Sequence, residues 1–154
     1  MPDEYTAIMK TDLVNGFDFA VVNLKNKITQ PGYDVQLGHF SKNFQMKFGQ
    51  EVIIVGYGKD SFKGQAAGTL EQGRQVYNKC TKDSKVGDPI CVFPKQEWGM
   101  QDTETGDSGG PLIVKKSNKF KIVGILSGGV MFGGKVQASL YSRVSKHYKF
   151  LQKW

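Results

Sequence analysis

The segment with the clearest chemical potential is Gly106-Asp107-Ser108-Gly109-Gly110-Pro111-Leu112, in which glycines flank a serine. Glycine permits a tight turn, and the backbone N–H groups of such a turn can point toward the space that the serine hydroxyl attacks. The donors here would be the N–H groups of Gly106 and Ser108. The segment therefore predicts a nucleophilic serine beside an oxyanion hole, because a plain glycine-rich strand connection would need only one or two of these residues.

A second candidate is Asp18, which stands before the apolar run Phe19-Ala20-Val21-Val22 and precedes Ser108 in the chain. The serine segment resembles the active-site motif of the trypsin/chymotrypsin family of serine proteases (peptidase S1). The Asp18 segment resembles that family's strand with the triad aspartate, which orients a histidine and stabilises its imidazolium form. The chain thus resembles the C-terminal half of such a protease domain, with Asp18 and Ser108 as catalytic residues.

The resemblance also implies substrate-binding residues. Asp102 stands where the family has the residue at the base of its primary specificity pocket, and a carboxylate there selects a substrate Arg or Lys through a buried ion pair. An exposed acidic loop is the alternative explanation for Asp102. Ser127 and Gly129 resemble the edge that pairs with substrate backbone, and Ser139 stands where a pocket-wall glycine is common. Asp107 is the activation-linked residue, which in active members pairs with a new N-terminal ammonium.

The triad histidine is the missing part. In the family it precedes the aspartate by about 45 residues, whereas 17 residues precede Asp18. His39 follows the aspartate and His147 lies near the C-terminus, so we expect neither to replace it. Without a general base a serine hydroxyl is a poor nucleophile. We also expect Asp107, if it has no ammonium partner, to let the Gly106 turn relax and to leave the oxyanion hole malformed.

The remaining pattern predicts an all-β protein. Short apolar runs alternate with turn-forming residues, which is typical of strands in a barrel or sandwich. The runs are Phe19 to Leu24, Val52 to Val55, Pro89 to Phe93, Pro111 to Val114, Phe120 to Leu126 and Val136 to Val144. Lys115 to Lys119 predicts a hairpin loop, Gln75 to Tyr77 a short helical turn, and Val144 to Trp154 an amphipathic helix. Lys59 to Ala67 predicts an exposed loop, and Gly128-Gly129 and Gly133-Gly134 predict turns or close backbone approaches.

The resemblance implies that these elements form the second antiparallel β-barrel of a trypsin-like two-barrel fold with a C-terminal α-helix. The first barrel is then mostly missing. The expected organisation of the partial protease domain 1–154 is the end of the first barrel and the inter-barrel connection at 1–50, the second barrel at 51–143 and the helix at 144–154. Val52 and Val114 stand where the family has a pair of bridged cysteines, and apolar residues at both sites are compatible with a packed core.

Two cysteines, Cys80 and Cys91, fit no zinc-binding pattern, and one loop-closing disulfide is the better interpretation. The resemblance makes this the disulfide that braces the loop beside the specificity pocket. We expect no cofactor and no metal. The net charge of +7 would suit an anionic partner, but its lysines are scattered, so a solvated basic surface is favoured over nucleic-acid binding.

Two functions stay open at this stage. The first is a trypsin-like endopeptidase that cleaves protein or peptide substrates after Arg or Lys, whose first barrel and histidine are missing or come from a separate chain; the chain alone is then inactive. The second is a non-catalytic homologue that binds a protein or a polyanion. The family implies an extracellular protein, although no signal peptide is evident near Met1, and no apolar run is long enough to span a membrane.

Overall fold

The computed structural model describes residues 5–12, 17–26, 39–40, 42–59, 68–80, 88–132 and 135–153. Within these ranges the chain is built almost entirely of β-strands. They are β1 (Tyr5–Asp12), β2 (Phe17–Leu24), β3 (His39–Phe40), β4 (Glu51–Gly56), β5 (Glu71–Asn78), β6 (Ile90–Pro94), β7 (Pro111–Lys116), β8 (Lys119–Phe132) and β9 (Lys135–Arg143).

Six antiparallel strands form a closed barrel in the order β8, β7, β4, β5, β6, β9. The barrel closes because β8 pairs with β7 on one side and with β9 on the other. Strand β3 adds in parallel to β8, with His39 opposite Lys121. The predicted all-β barrel is therefore confirmed. Strands β1 and β2 form a separate antiparallel pair in which Thr11 lies opposite Asp18.

The core of the barrel is made by inward-facing side chains of β4, β6, β7, β8 and β9. Along β4 and β7, buried residues alternate with partly exposed ones, as expected for strands with one face on a core. Val52 and Val114, at the two family cysteine positions, are both buried in this cluster. Its members are Val52, Ile54, Ile90, Val92, Leu112, Val114, Val123, Leu126 and Tyr141.

One sequence prediction about an element was wrong, and two others are refined by the structure. The expected helical turn at Gln75 to Tyr77 is part of the eight-residue strand β5, because pairing with β4 and β6 outweighs the weak local preference of this polar segment. Gly128-Gly129, predicted as a turn or a close backbone approach, lies within β8, where the register with β9 shifts between Leu126 and Gly128. The hairpin predicted at Lys115 to Lys119 is present, and its turn is the two-residue segment Ser117-Asn118 between β7 and β8.

The C-terminal helix is shorter than predicted. A 3-10 turn spans Val144–His147, and one α-helical turn, α1 (Tyr148–Leu151), follows it. Val144 and His147 are both buried, so packing against the barrel holds the chain in the tighter helix from the start of this segment. Of the other predicted features, residues 60–67 of the exposed loop, Gly133-Gly134 and Trp154 lie outside the described residues.

Candidate active site

The loop that carries Ser108 is tied to strand β8 by backbone hydrogen bonds. Gly109 N–H donates to the carbonyl of Leu126 at 2.9 Å, and Leu126 N–H donates to the carbonyl of Gly110 at 2.9 Å. A further bond at 2.8 Å from Gly110 N–H to the Asp107 carbonyl closes the turn around Ser108. Ser108 itself is exposed, so its hydroxyl lies at the surface on a turn with fixed ends.

Gly106 has φ +104°, a conformation that costs little only for glycine. A Cβ atom at this position would also lie 3.1 Å from Gly58 Cα. Within the described residues, the N–H groups of Gly106 and Ser108 donate none of the backbone hydrogen bonds outside the strands. These are the two groups that the sequence assigns to the oxyanion hole, and the described turn leaves them available to a ligand.

The Asp107 carboxylate is held by two backbone donors. Gly58 N–H donates to Oδ1 at 2.7 Å and Glu104 N–H donates to Oδ2 at 2.9 Å. Asp107 is half-buried, and these two bonds compensate for its desolvation. These backbone donors were not foreseen from the sequence, and the expected relaxation of the Gly106 turn in the absence of an ammonium partner stays a prediction.

The close approach of Asp107 explains the glycines of Val55-Gly56-Tyr57-Gly58. A Cβ atom on Gly58 would lie 2.5 Å from Asp107 Oδ1, and one on Gly56 would overlap the same oxygen. Real side chains do not tolerate such distances. Both glycines are therefore required by the carboxylate that packs against this strand end.

Asp18 and Ser127 are far apart in sequence but bonded in the structure. Ser127 Oγ donates to Asp18 Oδ2 at 2.6 Å, a short bond typical of a hydroxyl donating to a carboxylate. Ser127 directly follows Leu126, the residue that binds the Ser108 loop. Strand β8 therefore brings Asp18 and the Ser108 loop to the same region of the barrel.

The described residues place His147 away from the Asp18 carboxylate. On β2 the side chains alternate between faces, so Phe19 points away from the face that carries Asp18. The ring of His147 packs on Phe19 with 4.8 Å between ring centroids, and His147 is buried. His147 thus lies on the opposite side of β2 from the Asp18 carboxylate. The backbone of His39 lies in β3 beside Lys121.

Asp102 is the centre of a polar network below the Ser108 loop. Its Oδ1 accepts hydrogen bonds from Thr103 N–H at 2.8 Å, Gln75 Nε2 at 3.0 Å and Ser139 Oγ at 3.1 Å. Gln75 and Ser139 are fully buried. Since Ser139 donates to Asp102, the 2.8 Å contact between the two hydroxyls must be donated by Thr103 Oγ1.

Burial raises the pKa of the Asp102 carboxyl above its ordinary value, and the neighbouring Glu104 carboxylate acts in the same direction. The bonds from Thr103, Ser139 and Gln75 favour the charged form and oppose this shift. Gln75 was not recognised in the sequence, because a glutamine within the polar run from Glu71 has no hydrophobic periodicity to mark it as buried.

Asp102 also lines a cleft of about 230 Å³ that opens between strands β4 and β5 and the segment 99–107. Four acidic residues in the described part of the chain line it: Glu71, Asp102, Glu104 and Asp107. The described lining residues include neither Ser108 nor the substrate-edge candidates Ser127 and Gly129. The structure thus connects Asp102 to Ser139 and to this cleft.

The predicted disulfide is present. Cys80 and Cys91 are bonded with 5.3 Å between their Cα atoms. The bond links the end of β5 to the start of β6, the two strands that flank the Asp102 network.

Comparison with known proteins identifies the family to which the chain belongs. The trypsin family matches residues 4–151, and the chain belongs to this family of serine proteases. Serine protease SSP1 of Scolopendra subspinipes is 28% identical over 141 residues, which cover 88% of this chain and 49% of that protein. Human testisin is 36% identical over 67 residues, which cover 44% of this chain and 21% of testisin. The matched part of the chain thus spans about half the length of the first relative and about a fifth of the length of the second.

Proposed function

We propose that this chain is the nucleophile-bearing part of a serine endopeptidase whose histidine lies outside the described residues. The observation that carries the proposal is the convergence on β8: Ser127 binds the Asp18 carboxylate at 2.6 Å, and the adjacent Leu126 holds the turn of Ser108 through two backbone bonds. A binding protein has no chemical need to keep this carboxylate beside an exposed serine on a glycine turn.

In the proposed reaction Ser108 Oγ attacks the scissile carbonyl carbon while the histidine accepts its proton. Asp18 orients that histidine and stabilises its imidazolium form. The N–H groups of Gly106 and Ser108 stabilise the oxyanion of the tetrahedral intermediate. The histidine then protonates the leaving amine, the peptide bond breaks, and water hydrolyses the acyl-serine by the same route.

The protein substrate is selected through Asp102. One of its carboxylate oxygens accepts three hydrogen bonds, which fixes the orientation of the group and supports a role in binding a substrate Arg or Lys through the second oxygen. The family and the named relatives favour an extracellular setting. Within the described residues no helix is long and apolar enough to cross a membrane.

The test joins the 154-residue chain to a first barrel of the trypsin family that carries the histidine and a cleavable activation site. After activation the joined protein should hydrolyse Arg and Lys esters, whereas the chain alone should not. In the joined protein Ser108→Ala should remove the covalent route, and Asp18→Asn should lower kcat by about 10⁴-fold.

The results separate the alternatives. Activity of the chain alone that disappears with Ser108→Ala would contradict the need for an external base. Cleavage after large apolar residues by the joined protein would contradict the role of Asp102. A folded joined protein with no hydrolysis, and no labelling of Ser108 by a fluorophosphonate, would favour a non-catalytic homologue.

A further inference from the structure

Positive charge is concentrated in the last third of the chain. Asp107 is the last acidic residue, and residues 108–154 contain nine Lys and Arg residues and no Asp or Glu. The remaining 12 of the 21 basic residues lie in residues 1–107 together with all 14 acidic ones. The excess charge of +7 therefore originates entirely in the segment that forms β7, β8, β9 and the C-terminal helix.

The β7–β8 hairpin gathers much of this charge at its tip. Lys116 and Lys119 lie directly opposite each other across the turn, and Lys115 lies opposite Phe120. All four side chains are exposed. Like charges in directly opposite positions destabilise a strand pair, and within the described residues no acidic side chain forms an ion pair with these lysines. An anion bound at the tip would relieve the repulsion.

The charge continues from the tip along the side of the barrel. Lys121 follows on β8 with its Nζ 5.7 Å from the centre of the Phe44 ring. Beside it runs β3, which leads to the exposed Lys42. The ring of Phe40 in β3 lies 5.7 Å from that of Tyr148 in α1, next to the exposed Lys149. The basic face defined here comprises Lys42, Lys115, Lys116, Lys119, Lys121 and Lys149.

We propose that the basic face binds a linear polysaccharide bearing sulfate or carboxylate groups. Adjacent strand residues point to opposite sides, so Lys115 and Lys116 present charge on both sides of the hairpin. A flat membrane could reach only the tip, whereas a flexible anionic chain can follow the path from the tip past β3 to α1. The charged groups of the face are all lysines, without the arginine forks that nucleic-acid sites use. Its exposed rings already have neighbours, since Lys115 Nζ lies 5.7 Å from the centre of the Phe120 ring and Phe40 packs on Tyr148.

Titration of the 154-residue chain with a fluorescent heparin oligosaccharide tests this proposal without any requirement for activity. Replacing Lys116 and Lys119 together by glutamine should weaken binding about 25-fold, since each lysine near an anionic surface contributes about fivefold. Raising the salt concentration should weaken binding by the wild-type chain more than by the variant. Both positions are exposed at a turn, and circular dichroism checks that the variant retains its fold.

The matched control replaces the exposed Lys25 and Lys79 by glutamine, which lowers the net charge equally. It should bind heparin like the wild type. An equal loss in both variants would show that net charge alone is responsible and would overturn the proposal. Tighter binding to a single-stranded oligonucleotide, or to phosphatidylserine vesicles, than to heparin would overturn the assignment to a polysaccharide.

Discussion

At the scale of single residues, the Asp102 carboxyl is the candidate site group whose surroundings change its pKa. It is half-buried, yet three donors converge on one of its oxygens. The desolvation outweighs the hydrogen bonds, so the pKa is raised. A raised pKa in the folded state means that the folded protein holds this proton more tightly than the unfolded chain does.

The sign of the resulting pH dependence follows directly. The stability that Asp102 contributes is fully present below its unfolded pKa of about 3.9 and is lost as the pH rises through its raised folded pKa. Asp102→Asn keeps an acceptor oxygen and removes the charge. We therefore expect the variant to be more stable than the wild type at pH 7, with a difference that disappears on acidification below pH 4. Urea unfolding of both proteins between pH 3 and pH 7 measures it; a gap that widens toward acid pH would contradict the expectation.

How far sequence reasoning reached also shows at this scale. Ser108 and Asp18 could be named as candidates from the sequence, because the motif around Ser108 and the position of Asp18 before it in the chain both point to them. Gln75 and Thr103 could not be named as candidates, since they matter only because β5, the segment before Ser108 and β9 contact one another in the folded protein. The donors to Asp107 are the backbone N–H groups of Gly58 and Glu104. A backbone donor cannot be predicted from the pattern of side chains along the sequence.

At the scale of elements, the strand end of β4 and the Ser108 loop fit together through the Asp107 carboxylate. Apolar alternation predicted β4, β6 and β7 well because each has one face on the core. It missed β1, and it assigned β5 to a helical turn because that strand is mostly polar and buries Gly73 and Gln75. Pairing partners on both sides, which a single segment cannot reveal, determine β5.

Gly58→Ala tests the contact between the two elements. Its Cβ atom would lie 2.5 Å from Asp107 Oδ1, so the carboxylate must move and lose its 2.7 Å bond. We expect a loss of about 1–3 kcal/mol in the free energy of unfolding, as for other overpacked sites. Equilibrium urea unfolding of the 154-residue chain provides the measurement.

The control for this substitution is Gly128→Ala, since a Cβ atom there meets nothing within 4 Å; it should change stability little. In an Asp107→Ala background the cost of Gly58→Ala should largely disappear. An undiminished cost in that background would assign the effect to the backbone of Gly58 and not to the carboxylate.

At the scale of the whole molecule, strand β2 adds an exposed apolar surface to the basic face of the barrel. The basic face lies on the barrel, whereas Val22 and Leu24 on β2 are each 49% exposed. Both side chains project from the same face of the strand. Contiguous exposed apolar side chains favour association. The charge segregation was not apparent from the scattered lysines and became visible once β3, the hairpin and α1 were seen side by side.

We expect the 154-residue chain to self-associate through β2. Val22→Thr combined with Leu24→Thr should shift sedimentation velocity profiles toward the monomer, because threonine preserves strand preference and removes apolar surface. The matched control replaces two exposed apolar residues of the barrel region, Leu70→Thr and Met100→Thr, and should leave association unchanged. A wild-type chain that sediments as a monomer and unfolds cooperatively would contradict the expectation.

The closed pairing of β8 with β9 limits the routes by which copies of this chain can join. Most hydrogen-bonding edges within the barrel are used, and β3 occupies part of the β8 edge that precedes its pairing with β9, so these strands offer little edge to a foreign strand. Among the described strands, β1 and β2 pair only with each other, and each presents an outer edge. Among the described residues this ribbon therefore offers two edges to which another strand could add. Addition at both edges would be open-ended and would yield filaments, whereas contact through one edge alone would stop at a symmetric pair.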